Sequence, residues 1–398
     1  MAIKCSKALM IGFFLYIFWY KEAIQDIKIV LFGTVILAVL FSFFDMISNR
    51  FVRPNNKFVN MLLVFGAYCF VTGVFVSYDF DLFISLMIRY AAFLVVCLNC
   101  WYISYRQKNM KWILDSLVLV ATVCSIYTIF LGYDYQTEVV VRTMGPNNNP
   151  HTLGFIMIMG VFSIIAREGR TKNHFYASIL LLALFTSVIF ISGSRKSLFC
   201  VAFLLIIWLV AFLKKAKKTT FKKIQTKKGF LVAILLVVFI GASFFALYKY
   251  VGSDAIDRLL LLFEEDGALK TRWNLYITAF ELWKTKPLFG IGFNQYQALS
   301  GYGYYSHSTY AELISCTGII GTLVFMLPIV LFLISLSKKV LKKGENKYDY
   351  TMCLAMLLTE LILGLVQIYF YDVGHMLILT ILFSEYDRLN SKNEEVLK

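Results

Sequence analysis

The sequence predicts an all-α fold, a polytopic membrane protein with about 12 transmembrane helices and a long external loop that contains amphipathic helices. Three observations predict it. Of 398 residues, 59% are hydrophobic and 16% charged, with a mean hydropathy of +0.71, whereas soluble domains carry roughly 45–50% apolar and about 25% charged residues. Apolar runs near the ~20-residue length that crosses a bilayer fill most of the chain. The lysines and arginines cluster in alternate connections between those runs. Because no water reaches the backbone inside a bilayer, each span must satisfy its own hydrogen bonds, so the runs are helices.

The spans fall at 8–20, 27–47, 58–77, 82–104, 112–132, 151–166, 174–192, 197–213, 229–248, 308–336, 350–370 and 374–386. The first is expected to be a retained short span, since no small-residue cleavage site follows it. Alternating the connections puts Lys4 and Lys7, Arg50 to Lys57, Arg106 to Lys111, Arg167 to Lys172, the lysine run 214–228 and Lys338 to Lys347 on one side. The positive-inside rule makes that side cytoplasmic and leaves both termini there. The net charge of +15 therefore orients the protein against anionic lipid and does not mark a nucleic-acid partner. Eight scattered cysteines, with only Cys97 and Cys100 close together, read as buried small hydrophobes and as neither a disulfide framework nor a metal site. No repeat or linker divides the chain, so residues 1–398 are expected to form one integral membrane domain.

The segment 249–306 is too long for a connector and too rich in aromatics for disorder. Ser253 starts one expected helix, ended by Gly267. A second runs from Leu269 to Lys284, with Trp273, Ile277, Phe280 and Trp283 or Lys284 as an apolar stripe and Arg272 beside it. Pro287 stops it, the turn-rich Gly290-Ile291-Gly292-Phe293-Asn294 follows, and Gly-Tyr-Gly-Tyr-Tyr-Ser-His-Ser (301–308) delivers His307 to the next span. Such helices can lie on the membrane surface over a lipid-facing cavity; the plainer reading is a structural cap.

Charged groups converge on that face. Arg195 and Lys196 sit in Ser192-Gly193-Ser194-Arg195-Lys196-Ser197, a break so short that the arginine stays at the membrane boundary. Arg142 precedes Gly145-Pro146-Asn147-Asn148-Asn149-Pro150-His151 in another external loop. Guanidinium groups grip phosphate oxygens in pairs and stay charged, while an imidazole gives or takes a proton near neutral pH. Arg142, Arg195, Arg272 and His307 thus suit activation of a phosphate leaving group, with no metal-ligand set and no cofactor motif beside them. Each also has a bland reading: the arginines snorkel to headgroups or Arg272 pairs with Glu281 or Asp266, His307 caps a helix, and Asn147, Asn149 and His151 start one. Within the spans lie Arg89, Asp115 and Glu360, expected to pair or to line a cavity.

These residues resemble the O-antigen ligase and O-antigen polymerase-like family. Three elements between 142 and 321 carry the resemblance: Arg142 with GPNNNPHTLG (145–154); SGSRKS (192–197); and Arg272-Trp273 with its helix, KPLFGIGFNQY (286–296), His307-Ser-Thr-Tyr-Ala-Glu-Leu and Gly318-Ile-Ile-Gly321. Ser308 stands where the family usually has asparagine, and Cys316 where an acidic residue is common. The resemblance implies a metal-independent glycosyltransferase of the bacterial cytoplasmic membrane, without cofactors, whose donor is a glycan on undecaprenyl pyrophosphate. Its partners are that lipid-linked oligosaccharide, a glycan acceptor, membrane lipids and other polysaccharide-export proteins. It gives Arg195, Arg272 and His307 the catalytic parts, and Arg142, Asn147, Asn294, Tyr310, Glu312, Lys196 and Arg89 contacts to substrate. The expected activity is polymerisation of repeat units into capsule, exopolysaccharide or O-antigen chains. A ligase of the same class, handing glycan to lipid A core, protein or wall polymer, is the alternative, and a lipid-linked sugar flippase using Arg89, Asp115 and Glu360 is the reading from another class.

Overall fold

The computed structural model describes residues 1–19, 28–49, 57–137, 140–144, 146, 149–167, 172–216, 268–342, 344 and 346–397. The apolar runs that fall among them are helical, except that the run expected at 350–370 leaves the helix after Leu363: α1 (Ala2–Trp19), α2 (Lys28–Ser48), α3 (Lys57–Val76), α4 (Phe80–Gln107), α5 (Lys111–Leu131), α6 (Pro150–Ala166), α7 (Lys172–Ile191), α8 (Arg195–Ala216), α11 (Thr309–Leu341), α12 (Lys347–Leu363) and α13 (Val373–Leu397). Between α8 and α11 lie α9 (Ala268–Thr285) and the single turn α10 (Tyr296–Leu299). The run 229–248 and the helix expected from Ser253 lie outside the described residues. Among the described helices α3, α4, α5, α11 and the Arg195–Phe212 part of α8 are long and apolar enough to cross a membrane, and Gly33–Ser48, Pro150–Ala166 and Ala177–Ile191 are shorter apolar helices. The chain is a multi-pass, helical membrane protein. It also has one feature that the all-α expectation did not contain, an antiparallel hairpin of β1 (Tyr133–Thr137) and β2 (Val140–Met144). Val140, Val141 and Thr143 are β-branched, and such side chains fit a pleated strand.

The chain divides into two compact units, each assembled from three separated stretches: 1–46, 106–259 and 342–359 in the first; 47–105, 260–341 and 360–398 in the second. In the first unit α6 is central, packed on α5, α7 and α8. Every residue from Leu153 to Ile165 is buried, as a helix that is apolar all round requires. Gly160 permits that packing, because a Cβ there would lie 2.6 Å from Ala121 and 2.7 Å from the Phe185 ring; small residues let membrane helices approach closely. Asp115 pairs with Arg167 at 2.7 Å and Asp45 with Arg106 at 2.9 Å. Asp115 thus has its own cation from a basic connection and does not pair with Arg89 or Glu360.

The second unit contains α3, α4, α9, α10, α11 and α13. Its centre is aromatic: Phe65 meets Phe325, Tyr90, Phe370 and Phe293 at centroid distances of 4.8 to 6.1 Å, the spacing at which ring edges and faces attract. Glu360 pairs with His375 at 2.7 Å, both fully buried. In α9 the face packed on the protein is a second apolar face, beside the expected stripe. Leu275 and Ala279 are buried against Ile291, Tyr296 and Cys316, while Trp273, Ile277 and Phe280 are exposed.

The motif 286–296 is a strap across a break in α11. Gly318 interrupts that helix with φ 65° and ψ −170°, which would strand carbonyls before it and amides after it. The strap takes them: Ile291 N–H donates to Ser315 O (2.9 Å), Gly292 N–H to Cys316 O (3.0 Å), Ile319 N–H to Pro287 O (2.9 Å) and Ile320 N–H to Leu288 O (3.2 Å). The Tyr68 hydroxyl donates to Thr317 O at 2.7 Å. A glycine-rich strap and a glycine in the helix are what such backbone-to-backbone approach requires.

Candidate functional site

At the end of the second unit that carries the strap, three connections lock together. Gln295 clamps the α3–α4 turn with its side-chain amide, accepting from Asp79 N–H at 2.6 Å and donating to Asp79 O at 2.8 Å. Asn294, at φ 66°, donates to Leu82 O at 2.8 Å and accepts from Gln297. The connection after α12 is tied in by Thr309, whose N–H donates to Gly364 O (2.8 Å) and Gln367 O (2.9 Å), and whose hydroxyl donates to Gln367 O (2.7 Å). The Tyr310 hydroxyl donates to Leu361 O at 2.7 Å.

His307 stands where these connections meet. Its backbone is left-handed, φ 59°, a conformation that histidine tolerates better than most residues but that a tight surrounding must hold. The next residues begin α11, and Glu312 in its first turn reaches back. Its carboxylate, fully buried, accepts Ser306 N–H at 2.9 Å on one oxygen and the Tyr371 hydroxyl at 2.6 Å on the other. Burying a carboxylate is costly unless its oxygens are hydrogen-bonded, and here both are. The Tyr371 phenol is pushed well above its usual range, by burial first and by the Glu312 charge second, so it stays a donor. Ser306 is fixed, and the neighbouring imidazole is held between Tyr305 (4.5 Å between centroids) and Tyr304 (5.7 Å), with Tyr305 edge-on to Tyr371. His307 itself is half-buried.

Glu312→Ala should strand the Ser306 amide and the Tyr371 hydroxyl, each a loss of about 1–3 kcal/mol, and lower the melting temperature in detergent; Glu312→Gln, which keeps volume and an acceptor, should recover most of it. Equal melting of the alanine variant and the wild type would show that the clamp holds nothing.

Two cations adjoin this end. Arg272, half-exposed on α9, acts electrostatically on Tyr276 one turn on, and the Tyr276 hydroxyl donates to Leu365 O at 2.6 Å. Arg89, exposed on α4, acts on the Tyr371 hydroxyl. Glu281 pairs with Lys284 at 2.8 Å and not with Arg272. Asn294, Tyr310 and Glu312, expected to touch substrate, hydrogen-bond within the protein: Asn294 to Leu82 of α4 and to Gln297, Tyr310 to Leu361 of α12, and Glu312 to Ser306 and Tyr371. The residues that the sequence reading missed are Tyr371, Tyr305 and Gln295; the one signal for the first was the aromatic run Tyr369-Phe370-Tyr371 between two spans.

In the first unit, Arg195 opens α8, half-exposed with Lys196. The Ser194 and Ser197 hydroxyls share a hydrogen bond of 2.8 Å, and Gly193 turns the chain at φ 63°. Gly154 of α6 abuts this turn: a Cβ there would meet the Ser197 hydroxyl and come within 3.1 Å of that of Ser194. The segments GPNNNPHTLG and SGSRKS, far apart in sequence, therefore meet. Asn149 caps α6, its side-chain oxygen accepting from His151 N–H at 2.8 Å with Pro150 following. Arg142 stands on β2 opposite Tyr135, and Asn147 lies outside the described residues.

Fold and site define a multi-pass membrane protein in which a strapped, broken helix presents a histidine, with Arg272 on α9 and Arg89 on α4 in the same unit. Residues 179–326 match the family model described as O-Antigen ligase, so over that stretch the chain is similar to the family its motifs resemble. The matched stretch holds SGSRKS and everything from Arg272 to Gly321, while Arg142 and GPNNNPHTLG precede it. Among solved structures, one described as "Structural coordination of polymerization and crosslinking by a peptidoglycan synthase complex" is 14% identical with a TM-score of 0.44, over 83% of this chain and 97% of that one. No curated protein matches the chain.

Proposed function

We propose that the protein is a membrane glycosyltransferase that polymerises undecaprenyl-pyrophosphate-linked oligosaccharide repeats into capsule, exopolysaccharide or O-antigen chains at the outer face of the bacterial cytoplasmic membrane. Both termini are cytoplasmic in this reading, and the segment 249–306, with the connections it touches, faces outward. The observation that carries it is the presentation of His307: a left-handed residue between two tyrosines, fixed from behind by Glu312, in a stretch that matches the O-antigen ligase model.

Arg195 and Arg272 hold the pyrophosphate, with Lys196, Arg142 and Arg89 adding positive charge. The acceptor hydroxyl attacks the anomeric carbon, its proton passes to His307, the carbon–oxygen bond to the pyrophosphate breaks, and the lipid pyrophosphate leaves. The arginines stabilise the charge that develops on it. Asn294, Gln295, Tyr310 and Glu312 keep the loops in place.

Arg272→Ala should reduce long polymer by a factor on the order of 10²–10³ and leave single-repeat glycan, read on gels of envelope glycan from a deletion strain complemented at normal membrane levels. Full-length polymer in that strain would refute the assignment. The description of the matching family favours a second reading, a ligase that transfers finished glycan to an acceptor. The deletion strain separates the two: long polymer left on its lipid carrier identifies a ligase, and loss of long polymer a polymerase.

A further inference from the structure

The loop before His307 is built in an unusual way. Tyr302, Tyr304 and Tyr305 are 38%, 39% and 41% exposed, although a bare aromatic ring is costly in water. Their rings form a continuous run, Tyr302 to Tyr304 at 5.9 Å, Tyr304 to His307 at 5.7 Å and His307 to Tyr305 at 4.5 Å. A Cβ added at Gly301 or Gly303 would meet nothing within 4 Å, so the backbone there borders open space. At its base Ser306 is buried and held by Glu312. From Asn294 to Ala311 there is no lysine, arginine, aspartate or glutamate, and apart from the His307 imidazole the polar side chains are amides and hydroxyls.

An exposed aromatic patch of this kind marks a binding surface, and its chemistry selects the occupant. A phosphate or an acidic peptide needs cations that this stretch lacks. A sugar ring presents an apolar C–H face edged by hydroxyls, the complement of a tyrosine, whose ring is apolar and whose tip is a hydroxyl. We infer that Tyr302, Tyr304 and Tyr305 form a stacking platform for the sugar rings of the glycan next to the bond being made, so that neutral rings lie on the tyrosines while the pyrophosphate is held elsewhere by arginines. The platform rests on the proposed transferase reading, from which it takes the position of the reacting bond, and it adds a subsite for neutral sugars ending at His307.

The test uses full-length protein, in detergent and in nanodiscs of phosphatidylethanolamine and phosphatidylglycerol, with lipid-linked repeat unit purified from the deletion strain. Tyr302→Leu with Tyr304→Leu should raise the half-saturating substrate concentration roughly tenfold, as the loss of two stacking contacts implies, while Tyr302→Phe with Tyr304→Phe, which keeps both rings, should recover most of that loss. Equal values for the leucine variant and the wild type, or phenylalanine values as poor as leucine's, overturn the platform. A leucine defect seen in nanodiscs and absent in detergent would assign the rings to the lipid surface, which also overturns it. A second measurement needs no turnover: saturation transfer from protein to the free oligosaccharide, released from its carrier by mild acid, should appear in the wild type and the phenylalanine variant and fade in the leucine variant. Wild-type protein that makes no glycosidic bond but shows this transfer fails the transferase reading and keeps the platform; absence of transfer in the wild type fails the platform alone.

Discussion

Gly318→Ala should cost the second unit about 3 kcal/mol or more and leave little folded protein in detergent, seen as a collapsed melting temperature and rapid proteolysis between α9 and α11. Two independent penalties combine. The backbone at φ 65° and ψ −170° is open essentially to glycine alone. A Cβ would also run into the Leu288 carbonyl and sit 2.6 Å from Gly290 N, against backbone that cannot swing aside as a side chain can. If the strap is pushed off, the carbonyls of Ser315 and Cys316 and the amides of Ile319 and Ile320 lose their partners together, and within a membrane no water replaces them. An alanine variant that melts with the wild type would mean that the strap is not what closes the break.

Replacing the imidazole should have the largest effect on activity. His307→Asn is the informative change, because asparagine also tolerates the left-handed backbone that the position demands, so the loop is kept while the proton-transfer group is lost. Turnover of lipid-linked repeats should fall by a factor on the order of 10²–10⁴, the usual contribution of a positioned acid or base, with the melting temperature held. His307→Ala should lose as much activity and about 1 kcal/mol of stability besides, because alanine tolerates the left-handed backbone less well than histidine or asparagine. Full-length polymer from the asparagine variant would remove the imidazole from the mechanism and leave His307 a loop residue.

Much of the site's local chemistry was legible in the sequence, and its assembly was not. Asn149 before Pro150 reads as a helix start and caps α6, because capping depends on residues next to one another. The second helix of the long segment, expected at 269–284, is α9 at Ala268–Thr285, since Pro287 limits it locally. Which of its faces packs on the protein was not legible. Trp273, Ile277 and Phe280 recur at helical spacing, but the opposite face is apolar too, and Leu275 and Ala279 are the pair that pack on Ile291 and Tyr296. Periodicity reports that a face is apolar and is silent on which neighbour it meets. The place of Glu312 in its motif was likewise visible, while the hydroxyl that binds it comes from Tyr371, 59 residues away.

That this is a helical membrane protein, and which stretches hold arginines and a histidine in the order that resembles the O-antigen ligase family, could be read along the chain. These properties follow from run length, charge placement and order along the chain. What came only with the packed helices is that the glycine motifs 290–292 and 318 are two sides of one backbone contact, that Gly154 and the Ser194–Ser197 turn abut, and that Glu312 accepts from the Ser306 amide of the His307 loop. Each of those depends on hydrogen bonds and close approaches between segments distant in sequence, whose partners are fixed only when the helices pack.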